Sequence, residues 1–301
     1  MSAKSIIFTG LMGLISYHAF SQVDVIYGAD NRHEVDYSYL DSIIKSSSSI
    51  AIRVPNRRLH LRADNSGIFD ILKIPLKNAM PNLCSTERFS DQYQLGDCTG
   101  FLIAKNRILT AGHCAFSQLD CENNSWVFNF KEGVSQFNQN EVYKCSKIVT
   151  QNYEYSDKKI MDYAIIELER NTDRAPLKYR KFGRPLLGTP LIIVGHPLGL
   201  PMKVAGEARV KLPNDQEMEN LFQSIKLRHY YFTANLDSYG GNSGSPVFNA
   251  KTGKVEGILI QGADDFKFNT DKECMESNIL SNSHHNSFEK VLRINEIPEL
   301  K

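Results

Sequence analysis

Apolar residues along this chain recur in short β-branched and aromatic runs, at 49–54, 100–110, 126–130, 163–168, 191–194, 230–233 and 255–260, with clusters of Gly, Pro, Asn and Asp between them. Runs of that length and spacing read as strands closed by turns. Strands at this frequency, without amphipathic helices between them, predict an all-β barrel or sandwich. Helical periodicity shows near the C-terminus, at 287–297, where Phe288, Val291, Leu292 and Ile294 would share one apolar face. A shorter helix is expected at 36–45. Trp126, the single tryptophan, is expected in the core.

The N-terminus follows a different pattern. Lys4 precedes an apolar stretch at 6–15 that is too short to span a bilayer, and Ala19-Phe20-Ser21 supplies a small-x-small site before Gln22. This is the pattern of a secretory signal peptide over 1–21, leaving 22–301 as the mature chain. Later segments lack a stretch long and apolar enough to cross a membrane. The mature protein is therefore expected off the membrane, secreted or periplasmic, and monomeric.

Composition narrows the picture further. Of 301 residues, 42% are apolar and 23% charged, and the formal net charge of +1 is scattered, which weighs against nucleic acid or an anionic membrane as partner. Six cysteines follow the signal: Cys84, Cys98, Cys114, Cys121, Cys145 and Cys274. An even count in an exported chain points to disulfides, with the pairing open among roughly 15 arrangements. Without a C-x-x-C pair or an acidic Ca²⁺ loop, and with His284-His285 in a polar stretch, neither a metal nor another cofactor is expected.

Three local contexts carry chemistry, in the order His, Asp, Ser. They are Thr110-Ala111-Gly112-His113-Cys114, Asp162-Tyr163-Ala164-Ile165 and Gly240-Gly241-Asn242-Ser243-Gly244-Ser245-Pro246. A serine hydroxyl is a poor nucleophile at neutral pH until an imidazole takes its proton. The imidazole needs its second nitrogen held by a carboxylate, which fixes the tautomer and stabilises the transient imidazolium. Glycines beside the serine let the Gly241 and Ser243 N–H groups converge on a developing oxyanion. Each context alone is common, but the conjunction of all three is not.

These motifs resemble the trypsin-like serine proteases, and within them a bacterial branch similar to glutamyl endopeptidases. The narrower likeness lies in Gly-Asn-Ser-Gly-Ser-Pro at 241–246, in Val25-Ile26-Tyr27-Gly28-Ala29-Asp30-Asn31-Arg32, and in Gly195-His196-Pro197 with Gly199 and Pro201. The resemblance implies two packed six-stranded antiparallel β-barrels, chymotrypsin-like, within 22–301, with a lobe boundary near 175–190 and the C-terminal helix appended. It implies an exported endopeptidase acting on polypeptides, with His113, Asp162 and Ser243 as triad. It also implies a Cys98–Cys114 bridge bracing the histidine loop; Cys121–Cys145 and Cys84–Cys274 complete the expected set.

The same resemblance places Asp237, Ser238, Leu259 and Gly262 around the primary specificity pocket. Asp237, six residues before Ser243, would pair with a substrate Arg or Lys. Leu259 stands where glutamyl endopeptidases carry a histidine, which argues against glutamate, and Gly262 would leave the pocket mouth open. Asn242 replaces the aspartate that binds the new N-terminus in animal trypsins, so activation by that ion pair is not expected. Ile260 replaces a serine that touches the catalytic aspartate, so a buried Asp162 needs another donor. The alternatives are a catalytically inactive binding protein on the same fold, an esterase, and a protease selecting Glu or an apolar residue.

Overall fold

The computed structural model describes residues 25–38, 40–156, 159–211, 230–282 and 288–301. The expected signal peptide, residues 1–21, lies outside them, as do His284 and His285.

Six strands form the first lobe: β1 (Ile50–Pro55), β2 (Cys98–Ala104), β3 (Arg107–Thr110), β4 (Asn124–Phe128), β5 (Val142–Ser156) and β6 (Lys159–Leu168). They close into an antiparallel barrel in the order β4-β5-β6-β3-β2-β1. The run at 100–110 is thus a hairpin rather than one strand. Alternation along these strands divides the labour. Ala51, Leu102, Ile108, Trp126, Ala164 and Ile166 pack together inside the barrel. Their sequence neighbours Ile50, Phe101, Leu109 and Ile165 turn outward into a core shared with the second lobe.

The second lobe holds β7 (Pro190–Gly195), β8 (Lys203–Lys211), β9 (Tyr231–Ala234), β10 (Pro246–Asn249), β11 (Val255–Gln261) and β12 (Glu289–Arg293). Pairings run β10-β7-β8-β9-β12-β11 and back to β10, so this sheet also closes on itself. Leu191, Ile193, Phe232, Val247, Leu259 and Val291 fill its interior. Ile192, Val194, Phe248, Ile258 and Leu292 meet the first lobe, so one continuous core joins the two. Residues 169–189 connect β6 to β7.

The C-terminal helix does not form. Residues 289–293 are strand β12, followed by single 3-10 turns at Ile294–Glu296 and Pro298–Leu300. The apolar positions mislead because β12 is buried on both faces. Val291 enters the second-lobe interior and Leu292 the shared core, so adjacent apolar residues mimic a helical stripe. Long-range pairing with β9 and β11, which closes the sheet, overrides the local pattern. The helix expected at 36–45 is a 3-10 turn, Val35–Tyr37, and a two-turn helix displaced to Asp41–Ser47.

Three disulfides form: Cys98–Cys114, Cys121–Cys145 and Cys84–Cys274. The last ties the segment between β1 and β2 to the hairpin Phe266–Asn269 and Cys274–Ser277. That segment forms small accessory sheets, with Leu59–Leu61, Ile68–Ile71 and Gln136–Asn138 in one and Ile74–Pro75 with Tyr93–Gln94 in another. Leu59, Phe69 and Ile71 cover the outer apolar side of β1. Among the described residues, no helix is long and apolar enough to cross a membrane.

Candidate active site

His113 lies in the 3-10 turn Gly112–Cys114 that follows β3. The turn is pressed onto β5, where a Cβ on Gly112 would stand 2.0 Å from the Asn152 carbonyl oxygen. Asp162 sits within β6 and is fully buried. Its Oδ1 accepts the His113 backbone N–H at 3.0 Å, and its Oδ2 accepts the ring Nδ1–H at 2.7 Å. The carboxylate thereby holds both the loop and the ring, and fixes the tautomer with the proton on Nδ1.

Among the described residues, Asp162 has one further partner, which the sequence did not reveal. The Tyr155 hydroxyl, from β5, donates to Oδ2 at 2.6 Å. In the β5–β6 register Tyr153 faces Asp162 and Tyr155 faces Ile160, so Tyr155 reaches the aspartate diagonally on one face of the sheet. The alternating Tyr153-x-Tyr155 was the available signal. Burial, followed by the charge of Asp162, pushes the Tyr155 phenol well above the ordinary tyrosine range, so it remains a donor.

Ser243 stands on the loop between β9 and β10, clamped against the first lobe. Its carbonyl accepts the Thr99 N–H at 2.9 Å, and Thr99 Oγ1 donates to the Gly241 carbonyl at 2.8 Å. The Ser243 carbonyl lies 3.9 Å from the Cys114 sulfur, and the His113 ring is within 4.8 Å of the disulfide sulfurs. Ser243 and the His113 side chain are 7% and 10% exposed, so the seam between the lobes is nearly closed over both. Gly241 and Gly244 have φ of +91° and +83°, a region open to glycine and costly for other residues. Asn242 explains its own departure from aspartate: its Nδ2 donates to Ser238 Oγ at 2.9 Å and its Oδ1 accepts from Ser245 Oγ at 3.2 Å. A carboxylate could only accept.

The residues expected around the specificity pocket are placed as follows. Asp237 is 2% exposed, and its two oxygens accept the N–H groups of Tyr27 at 2.7 Å and Asn31 at 3.0 Å. Burial pushes its acid up to about 6 despite those two amides. Ser238 is fully buried, donating its N–H to the Val25 carbonyl at 3.2 Å. The segment from Val25 to Asn31 is therefore laid directly along residues 237–238. Leu259 is buried in the second-lobe interior. Its backbone braces the nucleophile loop through Gly244 and Ser245. Gly262, three residues further along the chain, is half-buried.

Cys98, His113 and Cys114 are the only described residues whose ligand atoms cluster closely enough for a metal, but both sulfurs are spent in the disulfide. His196 is structural. It is fully buried, its Nδ1–H donates to the Leu200 carbonyl at 2.9 Å, and its ring stacks on Phe130. Burial depresses its pKa to about 3. A depressed histidine contributes stability that is present above pH ~6.5, its unfolded value, and is lost as pH falls toward the folded one. At pH 5 the cost should reach roughly 2 kcal/mol. Thermal melts between pH 7.5 and 5 should therefore show a steeper loss of Tm for wild type than for His196→Gln.

Two closed antiparallel barrels, with a buried Asp–His pair and a glycine-flanked serine at their seam, define a chymotrypsin-fold chain with the parts of a serine protease. The chain belongs to the trypsin-like peptidase domain family, whose model matches residues 98–258. A solved Glu endopeptidase in complex with MPD shares the fold, with 16% identity, coverage of 92% of this chain and 97% of its own, and a TM-score of 0.52. The VesB protease of Vibrio cholerae is 14% identical over 88% of this chain and 64% of its own, with a TM-score of 0.49. The active form of the Rv3671c protease of M. tuberculosis is 14% identical over 93% and 90%, with a TM-score of 0.47. No curated protein matches the chain.

Proposed function

We propose that this chain is an exported serine endopeptidase that hydrolyses peptide bonds through an acyl-enzyme. The observation that carries the reading is the Asp162–His113 pair, held by two hydrogen bonds, at the seam where the first lobe grips the Ser243 loop. His113 Nε2 takes the Ser243 hydroxyl proton as the oxygen attacks the substrate carbonyl. The Gly241 and Ser243 N–H groups receive the oxyanion, the proton passes to the leaving amine, and water then releases the acyl group by the same path. These residues complete the cycle without a cofactor. Export past the signal at 1–21 accords with three disulfides, which persist in oxidising compartments. A fluorophosphonate probe should label the wild-type serine and leave Ser243→Ala unlabelled. An unlabelled, folded wild type would instead indicate an inactive binding protein.

A preference for Arg or Lys before the scissile bond is the finer part of the proposal. It is supported by a buried carboxylate six residues before the nucleophile, two of whose roughly four acceptor sites are taken. Those same amide contacts favour a second reading, in which Asp237 clamps the N-terminal segment and another feature selects the substrate. A cleavage-site profile of wild type and Asp237→Asn separates the two. Basic selection requires cleavage after Arg and Lys, with kcat/KM on those substrates falling on the order of a hundredfold in the variant. A clamp predicts an unchanged profile and a lowered Tm.

A further inference from the structure

Asp162 is fully buried, and among the described residues its carboxylate takes hydrogen bonds from only two side chains. One is His113, the group it orients. The other is Tyr155, which lies outside the His, Asp and Ser contexts. Without Tyr155, the charge would rest on His113 alone, through its backbone N–H on Oδ1 and its ring N–H on Oδ2. A second side-chain donor on Oδ2 draws off part of the charge that the ring otherwise receives.

We propose that Tyr155 is a positioning residue of the active site: its hydroxyl holds Asp162 Oδ2, the oxygen that also receives the His113 ring N–H, and limits how strongly the aspartate retains the imidazole proton. This rests on the peptidase reading. The geometry that supports it is local and complete. Tyr155 Oη is 2.6 Å from Oδ2, on the oxygen that also receives His113 Nδ1–H. The Ile260 carbonyl of β11 lies at 3.5 Å, the long limit of a hydrogen bond, so the phenol proton goes to the nearer, charged acceptor. Tyr155 and Asp162 come from the two strands of one hairpin, whose pairing runs unbroken from Thr150 to Ser156, so their spacing is set by the sheet. The Tyr155 ring is 39% exposed and packs edge-on against Tyr153, which in turn meets the edge of the His113 ring. Among the described residues, Tyr155 and Tyr153 from β5 and the Cys98–Cys114 bridge face Asp162 and His113, and no lysine or arginine is bonded to the carboxylate.

Removing the hydroxyl leaves the carboxylate more basic, and the His113 ring is then harder to deprotonate. In Tyr155→Phe, kcat should fall about tenfold with little change in KM. The acid limb of the kcat/KM profile should move to higher pH. The His113 ring signals, followed by NMR in the Ser243→Ala background, should titrate at correspondingly higher pH. Tyr163→Phe is the comparison, because it removes a phenol bonded to Glu299 from the residue next to Asp162. It should lower Tm and leave both titrations in place. Incorporating 3-fluorotyrosine at 155, a stronger donor, should move the limb in the opposite direction, and serves if Tyr155→Phe does not fold. A folded Tyr155→Phe with wild-type limb and ring titration overturns the proposal. Absence of turnover and probe labelling in wild type would sink the peptidase reading alone, since the ring titration still reports on Tyr155.

Discussion

Replacing Ser243 with alanine should lower peptide hydrolysis by a factor on the order of 10⁴ to 10⁶ while leaving the fold intact. The size of the loss follows from the division of roles. Without the hydroxyl there is no acyl-enzyme, and the Asp162–His113 pair has no nucleophile to serve. What survives is oxyanion stabilisation and substrate binding, which still favour attack by water over the uncatalysed rate. Ser243 contributes its backbone to the lobe seam through Thr99, and alanine preserves that contact. The melting curve of the variant should therefore overlay wild type. Steady-state hydrolysis of a peptide substrate, with the melt as control, checks both halves. A variant with near wild-type turnover would place the nucleophile elsewhere.

Gly244→Ala should have a large effect on stability. Gly244 holds φ +83°, and a Cβ there would stand 2.2 Å from the Thr99 carbonyl oxygen, 2.4 Å from Thr110 Oγ1 and 2.7 Å from the Ala111 nitrogen. Two of those three are backbone atoms of the first lobe and cannot swing aside. The added methyl would wedge the nucleophile loop away from the turn bearing His113, so stability and catalysis should fail together. A loss on the order of 3 kcal/mol or more is expected, the sum of left-handed strain and steric displacement. That corresponds to a Tm lower by roughly 6–12 °C for a domain of this size. Gly253→Ala is the matched comparison. It has φ +65° with nothing within 4 Å of its Cβ position, so it should cost only about 1 kcal/mol and leave activity unchanged. Equal losses in the two variants would remove the case for a clamped seam.

These two expectations draw on different kinds of information. Ser243 was singled out from its flanks, because a nucleophile on a glycine-bounded turn needs those residues wherever the fold puts them. The close approach of Gly244 to Thr99 and Thr110 was not legible, since it joins residues that are far apart in the chain. The same division holds elsewhere. Short β-branched and aromatic runs between turn residues disclosed most barrel strands, many of them buried on both faces. The reading failed at β12, where Phe288, Val291 and Leu292 fall at helical spacing and only pairing with β9 and β11 makes the segment a strand. The departure at Ile260 signalled that Asp162 lacked a donor, but not that Tyr155 would supply it across the β5–β6 hairpin.

By itself the sequence determined the fold class, the three contexts and the cysteines available to staple them, because these depend on residue type and short spacing. Tertiary structure decided what each buried polar group touches. Asp237 illustrates this best: one carboxylate in a recognisable position suggested a substrate cation, and folding also brought the amides of Tyr27 and Asn31 onto it. A buried charge takes its partners from whatever the chain delivers within about 3 Å, and that set comes from long-range packing.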